Sequence, residues 1–136
     1  MINDQLADKS MRNYKDNLIV KMTFQFALDI IDFAERLRSE KRFAFSDQVL
    51  RSGCSIGANV KEAQGAESKA DFIHKMKIAI KEAEETEYWL ELCSLSKKYP
   101  QPGQLLSDIE SILKIINKII STSKINKSLA NKAIDN

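Results

Sequence analysis

Apolar residues recur every three or four positions along four stretches of the chain, the spacing that places them on one side of an α-helix. No stretch alternates apolar and polar residues with the period of two that is typical of a strand. The predicted helices run from about Asn17 to Ser39, Asp47 to Gln64, Lys69 to Lys98 and Pro102 to Ser123. Because the connections are short, consecutive helices are expected to be antiparallel neighbours. The pattern therefore predicts an all-α protein, an antiparallel up-down-up-down four-helix bundle.

Residues with capping chemistry lie where these helices should begin and end. Ser46 is predicted to cap the second helix, and Gly65 to adopt a left-handed conformation just after it. Ser68 is predicted to cap the third helix together with Asp71. Pro102 suits the start of the fourth helix, because proline is tolerated only in a first turn.

The chain of 136 residues is long enough for one domain with a core of its own. The bundle is predicted to span residues 17–123, between flexible tails at 1–16 and 124–136 that hold few large apolar groups. A net charge of +2 is too small to indicate nucleic-acid binding. Since no signal-peptide core or membrane span is visible, we expect a soluble cytoplasmic protein.

Few residues offer catalytic chemistry. His74 is the only histidine, and no nucleophile or carboxylate stands at a recognisable spacing from it. Cys54 and Cys93 are too few for a zinc site and are expected to be reduced cysteines that behave as small hydrophobic residues. The chain has no glycine-rich phosphate loop and no Glu-x-x-His motif of the di-iron bundles. We therefore expect a protein that is not an enzyme and has no metal or other cofactor.

The second helix contains two glycines, Gly53 and Gly57, at positions where a good helix former would be expected. Each glycine inside a helix costs about 1 kcal/mol relative to alanine. The spacing predicts that another helix approaches closely at these positions, either within the bundle or from a second subunit.

A polar line follows the same helix, formed by Arg51, Ser55, Asn59 and Glu62, which fall within about 80° on a helical wheel. Two interpretations remain open. The line is either a network of hydrogen bonds and ion pairs that ties the helix to its neighbours, or a surface that grips a ligand such as RNA. The third helix also has apolar residues outside its main seam: Ile73, Ile78, Ile80 and Trp89. These indicate a broad core or a subunit interface, and we expect the interface.

The second and third helices, QVLRSGCSIGANVKEAQG and SKADFIHKMKIAIKEAEETEYWLELC, resemble the bacterial four-helix-bundle family of proteins encoded in 23S rRNA intervening sequences. The resemblance spans about Phe26 to Ile120. The positions that match the family pattern are Gln48, Arg51, Ser55, Ile56, Asn59 and Glu62, then Phe72, Ile78, Ala79, Glu85, Glu87 and Leu90. The chain departs from it at Ala63 and at Lys81-Glu82, where family members often have glycine and Gly-Ser.

The resemblance implies a homo-oligomer, ring-like and plausibly pentameric. The family is also similar to accessory proteins of retroelements, whose rings bind nucleic acid and a reverse transcriptase. RNA association is therefore expected, and a protein-interaction scaffold or reverse-transcriptase accessory subunit is the alternative. An RNA-binding ring should concentrate cations on one surface, for which Arg36, Arg38, Lys41 and Arg42 are the candidates.

Overall fold

A computed structural model describes residues 17–135, which form four α-helices. These are α1 (Leu18–Ser39), α2 (Phe43–Ala63), α3 (Lys69–Leu95) and α4 (Gln104–Asp135). Each helix packs against the next along the chain, and α4 returns to pack against α1. No strand occurs within residues 17–135. The predicted all-α four-helix bundle is confirmed, while the predicted tail at residues 1–16 lies outside the described residues.

Hydrogen bonds at both ends of the first helix pair show how α1 and α2 run. The Asn17 side-chain amide, before the start of α1, donates to Gln64 Oε1 at 2.6 Å, just beyond the end of α2. At the other end, Ser46 Oγ in the first turn of α2 donates to the Ala34 carbonyl at 2.8 Å, near the end of α1. The two helices are therefore antiparallel.

The core lies along the bundle axis and receives side chains from all four helices. Burial of large aliphatic side chains is the main stabilising contribution, roughly 1.5–3 kcal/mol for each. The largest fully buried side chains include Ile30, Leu37, Val49, Ile56, Met76, Leu90, Ile109, Ile112 and Ile116. Both cysteine thiols are free, as predicted. Ile73 is buried, and Ile80 and Trp89 pack against the core, so these three apolar residues of α3 contribute to a broad core. Ile78 is half-buried, and the subunit interface expected on α3 stays a prediction.

The cap of α3 agrees with the sequence pattern, but that of α2 does not. Ser68 Oγ accepts the Asp71 backbone N–H at 3.0 Å, as predicted. The prediction that Ser46 caps α2 is wrong, because α2 begins at Phe43 and its N-cap, Arg42, makes no side-chain capping bond. The Ser46 hydroxyl instead bonds α1. The Ser46 hydroxyl, which the local pattern predicted to be a helix cap, therefore donates its hydrogen bond to a carbonyl of the neighbouring helix.

The left-handed residues also differ from the prediction. Among the described residues, positive φ angles occur at Lys41 (63°) and Gly103 (54°), so the left-handed conformation predicted for Gly65 is wrong. The chain leaves α2 through short turns, with the Gly65 N–H bonded to the Glu62 carbonyl at 3.0 Å. At the end of α1, Lys41 holds the left-handed position while the Arg42 N–H reaches the Leu37 carbonyl at 2.8 Å.

The last helix continues past Ser123, where the sequence pattern predicted its end. Ser123 is the last buried residue among the side chains of α4 that the structure describes, and the helix itself reaches Asp135. The segment from residue 124 to 135 contains no glycine or proline, so an established helix can propagate along it. The loss of apolar periodicity therefore marks the end of core packing and not the end of the helix.

Candidate functional site

The polar line of α2 contacts α3 through Arg51. Its guanidinium lies 3.4 Å from Glu82 Oε2, forms a second ion pair with Glu85, and donates to Gln48 Oε1 at 3.2 Å. About half of the Arg51 side chain is exposed, so each ion pair contributes about 0.2–1 kcal/mol. Arg51 therefore ties α2 to α3 with modest strength.

The middle of the polar line bonds to its own helix. Ser55 Oγ donates to the Arg51 carbonyl at 2.6 Å, and the Asn59 side-chain amide donates to the Ser55 carbonyl at 2.8 Å. At the far end, Glu62 Oε2 lies 3.6 Å from Lys75 Nζ of α3. Because Arg51 pairs with α3 residue 85 and Glu62 with residue 75, α2 and α3 are antiparallel. These are contacts within the bundle; a role of the line in gripping RNA stays a prediction.

The two glutamates of α3 that match the family pattern lie in different surroundings. Glu85 pairs with Arg51. Burial raises the pKa of the Glu87 carboxyl, and the negative charges of Glu91, Glu110 and Glu84 raise that pKa further. Glu87 therefore belongs to an acidic surface between α3 and α4, which would repel a polyanion.

A buried hydroxyl pair joins α2 and α3 beneath the polar line. Thr86 Oγ1 lies 2.9 Å from Ser52 Oγ and 2.7 Å from the Glu82 carbonyl, and both side chains are fully buried. Sequence reasoning did not select Ser52. The available signal was its place next to the apolar line of α2, where a small hydroxyl residue needs a partner.

The two glycines of α2 face α1. An added Cβ at Gly53 would lie 2.7 Å from Ile30 Cγ2, and one at Gly57 would lie 3.2 Å from the Thr23 backbone oxygen. The helix that approaches closely at these positions is therefore α1 of the same bundle.

The four candidate cations lie at the end of the bundle where α1 turns into α2. Arg38 pairs with Asp47 at 3.4 Å, and its guanidinium stacks over the Phe43 ring at 5.2 Å. Arg42 stacks over the Tyr99 ring at 4.4 Å. Both guanidinium groups thus have partners within the chain. Within residues 17–135, the side chains of Arg36 and Lys41 have no ion-pair partner.

The turn after α3 brings two further cations to this end, Lys97 and Lys98, which sequence reasoning missed. Arg42 donates to the Lys98 carbonyl at 3.3 Å, and Tyr99 packs edge-on against Phe45 at 4.8 Å between ring centroids. We define the basic end as residues 36–47 and 96–103, which contain six cationic and two acidic side chains. These are Arg36, Arg38, Lys41, Arg42, Lys97 and Lys98 against Glu40 and Asp47.

Among the described residues, no group of three or more His, Cys, Asp or Glu side chains is arranged so that it could hold a metal ion. Within the same range, none of the helices combines the length and the apolar character that crossing a membrane requires.

The fold and the polar line of α2 together define a four-helix bundle with a polar network between its second and third helices. The model of the family described as 23S rRNA-intervening sequence protein matches residues 15–118. The chain belongs to this family, and the resemblance seen in its sequence is confirmed.

A solved structure of a Bacteroides thetaiotaomicron protein is similar to the chain with a TM-score of 0.72 and 42% sequence identity. The similarity covers 76% of this chain and 98% of that one. That protein is described as a member of the S23 ribosomal protein family with unknown function. No curated protein matches the chain in sequence.

Proposed function

We propose that this chain is a non-enzymatic, cytoplasmic homo-oligomer that holds RNA by its phosphate backbone at the basic end. The observation that supports this proposal is the convergence of cations from two separate segments, residues 36–42 and 97–98, on one end of the bundle. Four of these cations, Arg36, Lys41, Lys97 and Lys98, make no ion pair within the described residues. Their charges are therefore available to phosphates.

The conformation of Lys41 also supports a binding role for this end. A left-handed conformation costs a residue with a Cβ about 1–2 kcal/mol, and glycine adopts it without that cost. A lysine at φ 63° is thus a locally unfavourable choice at an exposed turn. Such conflicts between local stability and sequence are characteristic of functional sites.

The partner that fits is the RNA backbone. Long lysine and arginine side chains on an exposed turn neutralise phosphates and release counterions, which gives affinity independent of sequence. In an oligomer several basic ends act on one strand, so that weak contacts add through effective concentration. This multiplicity is the reason to link RNA binding to self-association.

The test is a salt titration of binding to a short, labelled single-stranded RNA of mixed sequence, followed by fluorescence anisotropy. Four phosphate contacts on single-stranded RNA predict an affinity that falls about 50-fold between 50 and 200 mM salt. The variant R36Q/K41Q/K97Q/K98Q should lose this binding. The control K77Q/K81Q/K114Q/K118Q removes the same number of charges from exposed positions elsewhere on α3 and α4 and should keep most of it.

A second variant separates binding from folding. Lys41→Gly should stabilise the protein by about 1 kcal/mol, because glycine relieves the left-handed strain, and should weaken RNA binding about fivefold at 0.1 M salt through the loss of one phosphate contact. Equal binding by the two quadruple variants, or binding that does not respond to salt, would overturn the RNA proposal. A protein-interaction scaffold would then be the better interpretation.

A further inference from the structure

The outer face of α1 and α2 exposes large apolar side chains that the core does not use. Leu28 is 42% exposed, Ile31 39% and Leu50 40%, and Phe24 lies on the same side of α1 with half of its surface exposed. Positions 24, 28 and 31 share one side of α1 by helical spacing. Gly53, which is one turn after Leu50 on α2, packs on Ile30 of α1, so Leu50 lies beside these three residues. We call these four residues, with the groove between them, the α1/α2 face.

Small residues leave a groove between the two helices. It has a volume of about 180 Å³, and its walls include Ala27, Cys54, Gly57 and Ala58. The face therefore has protruding apolar side chains next to a depression that is large enough to receive a side chain. This surface shape suits interdigitated packing.

Few charged residues lie on this face: Lys61 lines one end of the groove, and the others lie around it. Between Lys21 and Asp32 on α1 the single charged residue is Asp29, which lines the opposite groove towards α4. Between Asp47 and Lys61 on α2 the single charged residue is Arg51, which forms ion pairs with α3. A centre with few charged residues and a charged rim around it is typical of a protein–protein interface.

We propose that the α1/α2 face is a contact surface for a second copy of this chain. The exposed parts of its large side chains offer on the order of 400 Å² of apolar surface, estimated from their fractional exposures. A standard interface buries about 800 Å² on each partner, somewhat more than half of it apolar. The apolar area of the face thus matches one side of a stable interface.

Charge favours a copy of this protein over the other candidate occupants. An RNA backbone would need several cations on the face, whose groove is lined by one, Lys61. An anionic membrane surface would be repelled by Asp32 at its rim, which has no ion-pair partner within the described residues. A second copy has both signs of charge to meet a rim that contains both, Lys61 at one end and Asp32 and Asp47 at the other.

This inference rests on the homo-oligomer part of the proposed function and adds the surface through which assembly occurs. It places the interface on α1 and α2, whereas the sequence pattern favoured α3, of whose residues Ile73, Ile80 and Trp89 pack into or against the core. The basic end lies at the turn between α1 and α2. It would therefore stay exposed to solvent at the edge of an interface that buries the α1/α2 face.

The first test is the mass in solution of wild type and L28E/L50E, measured by light scattering after gel filtration at high micromolar concentration. The wild type should have a multiple of 15.5 kDa. The double variant should have the monomer mass, with unchanged helical circular dichroism. The control Leu129→Glu places the same charge at another exposed leucine (59% exposed), on α4, and should assemble like the wild type.

Cys54 provides an independent readout because it lies in the groove. Cys93 is fully buried, and burial raises the pKa of its thiol to about 11, which keeps it unreactive in the folded protein. Alkylation of Cys54 should be severalfold slower in the concentrated wild type than after dilution. In the single variant Leu28→Glu, which is the milder change, the rate should be fast at both concentrations.

The outcomes separate this inference from the proposed function. If L28E/L50E keeps the wild-type mass, or if Cys54 alkylates equally fast in assembled and diluted wild type, the face is wrong and the homo-oligomer stands. If the wild type is itself monomeric at high micromolar concentration, both the face and the homo-oligomer are wrong, whereas RNA binding at the basic end is decided by its own titration.

Discussion

Replacement of Gly53 by alanine tests whether close packing of α2 on α1 is the reason for a glycine in mid-helix. The added Cβ would lie 2.7 Å from Ile30 Cγ2 and 2.9 Å from Ile30 Cγ1. Both distances are far below van der Waals contact. Ile30 is fully buried in the core, so its side chain cannot swing into solvent to make room.

Two opposing effects set the magnitude. Alanine is better than glycine inside a helix by about 1 kcal/mol. Overpacking a well-packed core costs about 1–3 kcal/mol. We therefore expect Gly53→Ala to lower the free energy of unfolding by about 1 kcal/mol, where the same change at an unpacked helical position would raise it.

The assay is urea denaturation at fixed protein concentration, in a double-mutant cycle with Ile30→Ala. Ile30→Ala alone should cost about 2–5 kcal/mol, but it removes the atoms that the new Cβ would strike. In that background Gly53→Ala should become stabilising by up to about 1 kcal/mol, which makes the coupling energy about 2 kcal/mol. A Gly53→Ala effect that is stabilising in the wild type, or equal in both backgrounds, would refute the packing argument.

Three further predictions concern the contacts of α2 and α3. Arg51→Ala should lower the free energy of unfolding by about 1 kcal/mol through loss of its two ion pairs, and should leave RNA affinity unchanged in the anisotropy titration. Ser52→Ala and Thr86→Val should each cost about 1 kcal/mol in urea denaturation, whereas the double variant should cost less than their sum, because the bond between the two hydroxyls is lost only once. Since the pKa of Glu87 is raised above its ordinary value of 4.5, the folded state binds this proton more tightly than the unfolded state. Stability should therefore fall as pH rises through that pKa, and Glu87→Gln should be more stable than the wild type at pH 7 but not below the ordinary pKa of glutamate.

Each of these predictions has an outcome that contradicts it. Loss of RNA affinity in Arg51→Ala at unchanged stability would favour a ligand site on the polar line. Additive losses in Ser52→Ala and Thr86→Val would show that the two hydroxyls act independently. A Glu87→Gln variant whose advantage is the same at low and neutral pH would show that packing, and not the carboxylate charge, limits stability there.

The periodicity of the sequence was sufficient to predict the helices and most of the core, because the spacing of apolar residues reflects the face that a helix buries. The seam of α3 illustrates this, since the apolar and small residues that recur at steps of three and four are buried: Met76, Ala79, Ala83, Thr86, Leu90 and Cys93. The Ser68 cap was equally predictable, because its bond to Asp71 is local. Local chemistry and helical spacing are properties that the order of residues determines directly.

Predictions failed where a residue had a choice of partners. Ser46 has a good side chain for capping, but the α1 carbonyl that it bonds instead became available only when the helices packed. The end of α4 was misplaced because apolar spacing reports burial, and a helix without glycine or proline continues after burial stops.

The candidate sites divide in the same way. The sequence by itself determined the polar line on α2, its family resemblance and the cations near the end of α1. Only the tertiary structure decided that Arg51 is held by two carboxylates of α3, that Lys97 and Lys98 join the basic end, and that exposed apolar surface lies on α1 and α2. The physical reason is that helical spacing specifies a side chain's direction from its own axis, whereas its partner depends on which helix lies in that direction and at what distance.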